Sequence, residues 1–401
     1  MADDFQHRSL DLQDKARHIN VTSKLSQWHV LRNDKWLLSS ITWIPILLAL
    51  SIWWIFSQGI ARDLSIAVVN LEDSSLSRNV IRQFDATPSL KVTHVYQSVQ
   101  QAKQALVAGD IYAYAVIPTN YSRDIYLNKL PQVTVFYNSQ YILIGKLINS
   151  AIAQAHATFN AQIGVTKQLA KGTGTIAAAT GKTVTIQSQI TPLFNKNSNY
   201  AQFLVSAIIP ALWQIVIIVS TILALTANHR IYGLKAMLGS SPIRQVCRIT
   251  AFYVPVFSLF GFGFLTWFYL GFQWPFEGTL FPLIYAQLLT IIACVIMGCF
   301  FFFLTLDSAR AMSFAGAFTA PSFAFMGVTF PVSDMNYLAS IWRSCLPISH
   351  YIEVQIGQSS YGVTSWNAIH SISTGLLGYL IPLALTYLLC KKHQAKLEVT
   401  S

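Results

Sequence analysis

The sequence predicts a polytopic α-helical membrane protein of six transmembrane helices, with an α/β (or α+β) extracytoplasmic domain inserted after the first. Three observations carry that reading. Hydrophobic residues make up 53% of the 401 and charged residues only 11%, against about a quarter charged in soluble domains. Several apolar runs reach the length of about 20 residues that a helix needs to cross the hydrocarbon core. Between residues 59 and 199 the apolar density falls, and the pattern changes to the short alternating runs of a soluble fold.

Residues 1–35 are polar and lack the early apolar core of a secretory signal. Val21, Leu25, Trp28 and Leu31 recur at near-helical spacing beside Lys24, Arg32 and Lys35. That spacing predicts a short helix on the inner surface of the membrane. Residues 36–57 form the first span, with Trp36, Trp53 and Trp54 towards its ends, where indole rings favour the interface. Pro45 is tolerable within it because neighbouring groups can take up the carbonyl it frees. Arg17, Lys24, Arg32 and Lys35 come before this span, so its start is expected in the cytoplasm.

Residues 58–199 are then expected outside the cytoplasm. Strands are predicted at 64–69, 91–96, 112–117 and 132–137, with helices over 74–85, 99–108 and around 121–129. Such alternation belongs to a domain packed on one sheet. Long helices are predicted from 142 to about 189. Twelve basic residues face six acidic ones in this stretch, which fits either a solvated surface or attraction of an anionic envelope component or substrate. Residues 171–183, KGTGTIAAATGKT, approach a phosphate-binding loop, but Ile176 stands where the first glycine is required. It is rejected as a nucleotide site.

Four further spans follow at 203–227, 249–272, 280–304 and 312–330, and a last one at 371–390. Residues 228–248, between the second and third, carry Arg230, Lys235, Arg244 and Arg248 and no acid. A short basic connection of this kind faces the cytoplasm, as does a 391–401 tail with Lys391, Lys392 and Lys396. The net charge of +11 therefore reflects membrane orientation, and nucleic acid is not a partner. Asp307 and Arg310 mark a short inner turn close enough to pair at i,i+3. Residues 312–330 are rich in Gly, Ala and Ser, which let helix backbones approach, and Pro321 should bend them. Pro331, Asp334, Arg343, Pro347, His350 and Glu353 interrupt 331–370, which fits a re-entrant hairpin on the outer side. His350 and Glu353 would line an exit there or form a satisfied structural pair.

Of the five cysteines, Cys247, Cys294, Cys299 and Cys390 fall in or beside apolar runs, and only Cys345 lies in an outward segment. No internal disulfide and no zinc spacing follows, so all five are expected to be small buried side chains and no metal site is expected. The span centres hold almost no ionisable residue, which disfavours a proton-coupled carrier. Gln214 reads as helix–helix glue. An enzyme would need convergent acid, base or nucleophile groups, and neither HExxH nor GxSxG occurs.

With this plan in place, the chain resembles the membrane subunit of ATP-binding-cassette exporters of the drug and polysaccharide export class. The likeness shows in residues 65–84, SIAVVNLEDSSLSRNVIRQF, and in 327–351, where Gly327, Phe330, Pro331, Met335, Leu346, Pro347 and Tyr351 follow the family's pattern. The inner connection keeps Arg230, Gly233, Ser241 and Pro242. It departs at His229, Ile231, Leu234 and Lys235, near places where acids or threonine are usual. The resemblance implies an ATPase-coupling loop that includes Arg230, Tyr232, Gly233, Lys235, Ser241, Pro242 and Arg244. It implies a cytoplasmic ATPase subunit as partner, with ATP and Mg on that subunit and no cofactor on this chain. It also implies a second permease subunit, identical or related, and an inner-membrane location, with a periplasmic adaptor left open. The alternative is a non-transporting envelope scaffold or receptor anchored by six helices.

Overall fold

The computed structural model describes residues 26–57, 59, 62–127, 129, 131–172, 175–183, 193–195 and 199–399. The chain divides into two compact units, Met1–Ser57 with Asn199–Ser401, and Gln58–Ser198.

The first unit opens with α1 (Gln27–Asn33), α2 (Lys35–Ser40) and α3 (Trp43–Ile55). Val30 and Leu31 of α1 are buried and Trp28 is exposed, so the described part of the amphipathic pattern does form a two-faced helix. Val21 and Leu25 lie outside the described residues. Asp34 joins α1 to α2 and caps the latter, its carboxylate accepting from Leu37 N at 3.0 Å, a contact typically worth about 1 kcal/mol. The first span is not continuous: α2 and α3 are separated at Ile41–Thr42. Pro45 explains the break, because its ring collides with the carbonyl four residues earlier, and that carbonyl belongs to Ile41.

The second unit is built on a four-stranded sheet. Its elements are β1 (Leu64–Asn70), α4 (Ser75–Asp85), β2 (Leu90–Tyr96), α5 (Val99–Ala108), β3 (Ala113–Ile117), α6 (Tyr121–Tyr126), β4 (Thr134–Tyr137), α7 (Ile142–Ala170) and α8 (Ile176–Thr183). The sheet order is β2-β1-β3-β4; β1 is parallel to both β2 and β3, and β4 is antiparallel to β3. Successive side chains of β1 serve opposite faces. Leu64, Ile66 and Val68 pack with Phe84 of α4 and Ile152 of α7, whereas Ala67 and Val69 pack with Ala102 and Ala105 of α5. Ser74 caps α4 by accepting from Ser77 N, and Gly109 closes α5 at φ 84°, a conformation glycine adopts without a steric cost. Burial, followed by the nearby Glu72 carboxylate, pushes the Tyr121 phenol up to about 12. The Gly181–Lys182 pair lies within α8, not in a strand-to-helix turn. The expected helical stretch at 184–189 lies outside the described residues.

The remainder of the first unit comprises α9 (Tyr200–Leu238), α10 (Pro242–Ala251), α11 (Val254–Thr266) running into a π turn (Trp267–Gly271), α12 (Leu280–Thr305), α13 (Ser308–Thr319), α14 (Ser322–Phe325), α15 (Tyr337–Cys345), α16 (Pro347–Ser359), α17 (Ser365–Gly375), a 3-10 turn (Leu376–Tyr379) and α18 (Leu380–Val399). Among the described residues five helical stretches are long and apolar enough to cross a membrane: Lys35–Ile55, Tyr200–Leu238, Pro242–Gly271, Leu280–Thr305 and Ser365–Glu398. The stretch expected as the fifth of six spans, 312–330, differs. It is the 12-residue α13, a stop ahead of Pro321, and the single turn of α14. At 1.5 Å per residue α13 covers about 18 Å, short of the hydrocarbon thickness.

α9 is the element the others pack on. Pro210 sits inside it, buried, and removes the N–H that Ser206 O would have received. Gln355 of α16 supplies the missing donor, its Nε2 reaching Ser206 O at 2.8 Å. Gly298 lets α12 come against α9, since a Cβ there would stand 2.8 Å from Thr221 Cβ. Two of the five cysteines depart from expectation, Cys247 and Cys345 being exposed. Asp307 caps α13 by accepting from Arg310 N at 2.8 Å and makes no side-chain ion pair with it among the described residues.

In the second unit, burial lowers the pKa of His156 below its ordinary 6.5, and its buried Nδ1 has no hydrogen-bond partner among the described residues. The folded state favours the neutral ring, so the unfolded chain binds more protons just below that pH. Stability from this site is complete above pH 6.5 and falls as the pH drops beneath it. Pulse proteolysis of residues 58–198 in the full-length protein should show a melting temperature that declines on acidification, and His156→Phe should flatten the decline.

Candidate functional site

The connection between the second and third spans is not a loop. α9 continues helical past Asn228 as far as Tyr232, and then Gly233 breaks it with φ 77° and ψ 161°. One helical turn follows at 234–238, and Gly239 ends it at φ 56° and ψ −155°. Both glycines occupy a region that residues with a Cβ scarcely enter. A single turn is thus set off by two positions that only glycine fills without strain. Pro242 then starts α10 at its first position, where a missing N–H costs nothing.

This turn has an inside and an outside. Met237 and Leu238 are buried with Val246 and Ile249 of α10, Phe302 and Phe303 of α12, and Cys390 of α18. Full burial of each such side chain contributes about 1.5–3 kcal/mol. Lys235 and Ala236 are exposed, and so are Arg230, Ser241, Arg244 and Arg248. The expected residues Arg230, Tyr232, Gly233, Lys235, Ser241, Pro242 and Arg244 do fall in one neighbourhood. In place of the loop expected there, residues 230–244 form three helical pieces divided by the two glycines.

Helices α1 and α18 brace the segments on either side of the turn. On the N-terminal side, Gln27 and Asn228 exchange two amide hydrogen bonds, Gln27 Nε2 donating to Asn228 Oδ1 at 3.0 Å and Asn228 Nδ2 to Gln27 Oε1 at 3.1 Å. The Tyr253 hydroxyl donates to the same Gln27 Oε1 at 3.2 Å. All three side chains are buried. Arg230 adds an ion pair to Asp34 at 2.9 Å, with the Asp34 side chain 8% exposed and the arginine 63%. On the C-terminal side, Gln394 Nε2 donates to Gly239 O at 3.2 Å, and His393 Nε2 lies 3.0 Å from Phe303 O.

The outer motif residues separate into two groups. Gly327 turns the chain at φ 87°, where a Cβ would come 2.6 Å from Val332. Leu346, Pro347 and Tyr351 are buried, Met335 is half-buried, and Phe330 and Pro331 are exposed. Buried amides hold the inner group. Gln214 Oε1 accepts from Ile348 N at 2.9 Å, while its Nε2 donates to Ser322 Oγ at 3.2 Å, the gluing part expected of it. Gln287 Nε2 donates both to Gly261 O at 2.7 Å and to the Tyr351 hydroxyl at 3.2 Å. His350 and Glu353 do not pair with each other. Glu353 takes Arg343 at 2.7 Å, and His350 Nε2 lies 3.0 Å from Ser344 O.

A family profile described as "ABC-2 family transporter protein" matches residues 35–390, which is most of the chain. The chain belongs to the ABC-2 family of transporter proteins. It is a permease of an ABC transporter, embedded in a membrane by multiple apolar helices. No curated protein and no solved structure matches it.

For this ABC-2 permease the sequence pointed to the turn but not to its braces. Gln27, Asp34, Asn228, Tyr253 and Gln394 went unnoticed, because their partners lie up to 226 residues away and no local pattern marks them. Gln27 and Asn228 supply a direct check. Gln27→Leu or Asn228→Leu alone should lower stability by about 1–3 kcal/mol, since each strands a buried amide. The double variant should lose less than the sum, because neither group is then orphaned. Denaturant unfolding in detergent measures the cycle; strict additivity would mean the two amides do not act together.

Proposed function

We propose that this permease moves substrate outward across the cytoplasmic membrane by taking up the shape changes of a separate ATPase through the turn at 234–238. In this reading residues 228–248 and both termini are cytoplasmic and residues 58–199 lie on the other side. The chain crosses six times, with the broken α13–α14 segment as the fifth crossing. The observation that carries the proposal is the construction of the turn. Its outer side offers Lys235 and Ala236 to a soluble partner, with Arg230 and Arg244 exposed on the pieces either side of it, while its inner side is seated on α10, α12 and α18.

A push on the exposed side would reach three helices at once. The glycines at 233 and 239 let the turn rotate as a unit, and the amides of Gln27 and Asn228 keep the end of α9 from splaying. ATP and Mg would sit on the ATPase subunit, where hydrolysis supplies the drive. Two permease subunits, identical or related, would form the passage at their interface, in keeping with the prevalence of closed two-fold assemblies. Membership of a transport family and the partner-facing turn favour this over an envelope scaffold.

The test uses surface changes that leave the seated side alone. Lys235→Glu combined with Ala236→Glu should preserve folding and membrane insertion. It should lower both co-purification of the ATPase and stimulated ATP hydrolysis in the reconstituted complex by about tenfold, the scale of about 1.4 kcal/mol. Stimulation equal to that of the unaltered protein would refute the coupling role.

A further inference from the structure

Away from the turn, one cavity differs from the plain apolar faces of the spans. It encloses about 640 Å3 and is lined by side chains that include Met297, Phe318, Ser340, Ser344, Gly378 and Tyr379. Size and mixed lining are those of small-molecule sites, which run to about 300–1,000 Å3 and hold a few placed polar groups on apolar walls. One wall is α15, none of whose residues is buried.

The polar groups are specific in what they offer. Ser340 Oγ donates to Asn336 O at 3.1 Å, Ser344 Oγ donates to Ser340 O at 2.9 Å, and the Tyr379 hydroxyl donates to Cys345 O. Each of these three hydroxyls has committed its only proton to a backbone carbonyl, so what remains on its oxygen is lone pairs; Tyr337, which also lines the cavity, is 79% exposed. A ligand that reaches the three must therefore bring the donor. Among the described residues no charged side chain lines the cavity, so an ion entering it would go uncompensated, at a cost far above that of a neutral polar group.

We infer that this cavity binds a neutral amphiphile carrying a hydroxyl group, its tail against Met297 and Phe318 and its hydroxyl donating to Ser340, Ser344 or Tyr379. The site is separate from the turn at 234–238. Gly378 supplies the means to close it. A Cβ there meets nothing within 4 Å, whereas at Gly375 it would come 2.4 Å from His350 Nδ1. Gly378 also lies outside the left-handed region, so a larger side chain fills the cavity without straining the backbone.

The experiment uses the full-length protein in phosphatidylcholine nanodiscs, a diazirine-bearing monoacylglycerol as probe, and peptide mass spectrometry to find the adducts. Adducts should concentrate in 337–345 and 375–382 and be competed by monooleoylglycerol, but not by oleate or oleylamine, which share the tail and carry charge. Gly378→Phe should reduce these adducts by about tenfold while leaving those on α3 unchanged. Ser340→Ala with Ser344→Ala, which removes acceptors without adding bulk, should weaken competition by monooleoylglycerol. The Lys235→Glu and Ala236→Glu variant should capture the probe normally, so failure of the coupling reading would leave this site standing. Adducts spread evenly over the spans, competition by oleate equal to that by monooleoylglycerol, or capture untouched by Gly378→Phe would each overturn the assignment.

Discussion

A bilayer core offers no water to a stranded N–H or C=O, so every place where a membrane chain leaves the helix must find its hydrogen-bond partners within the protein. That constraint shapes the larger unit. Its helices end or lose a backbone hydrogen bond at Pro45, Pro210, Pro321 and Pro347, and buried glutamines stand at two of these prolines. Gln355 donates to the carbonyl freed by Pro210. Gln214 accepts from the N–H next to Pro347. Elsewhere Gln358 Oε1 accepts from Thr279 N at 3.0 Å, just ahead of α12. A neutral amide offers a donor and an acceptor on one side chain and carries no charge to desolvate, which suits it to this use better than a carboxylate or an amine.

The same economy explains the turn at 234–238. Glycine is there because the backbone needs two conformations that a Cβ forbids, and not for lack of space, since a Cβ at Gly233 would meet nothing within 4 Å. Between these glycines the side chains are divided by face, Met237 and Leu238 inward, Lys235 and Ala236 outward. Helix α1 holds the end of α9 just before the turn, and the end of α18 holds Gly239 just after it. In the proposed coupling, a seated turn under a small exposed surface would pass on a push that a loop free at both ends would absorb.

Much of this could be read from the residues. Apolar runs located five candidate spans near their observed places, and period-two alternation found β1, β2, β3 and β4 within a few residues. Basic residues marked the connection at 228–248 as the place to look. What the chain concealed has physical causes. Pro45 reads equally well as a tolerated kink or a break, and only the structure shows the helix parted at Ile41–Thr42. Pro321 announced a bend but not that α13 would stop short. The amide pair of Gln27 and Asn228 spans 201 positions, and the Glu353–Arg343 ion pair replaced the expected His350 contact because the hairpin folds α15 back along α16. Cys247 and Cys345 each have an apolar neighbour on one side only, Val246 and Leu346, with Arg248 and Ser344 on the other, and both are exposed.

The account rests on which side of the membrane the turn occupies. In a background with Cys247 and Cys345 replaced by serine, Lys235→Cys and Lys103→Cys can each be exposed to a membrane-impermeant maleimide in intact cells. Both positions are exposed on the protein surface. The account predicts that position 103 is labelled at once and position 235 only after permeabilisation. Labelling of position 235 in intact cells, with position 103 shielded, would contradict it.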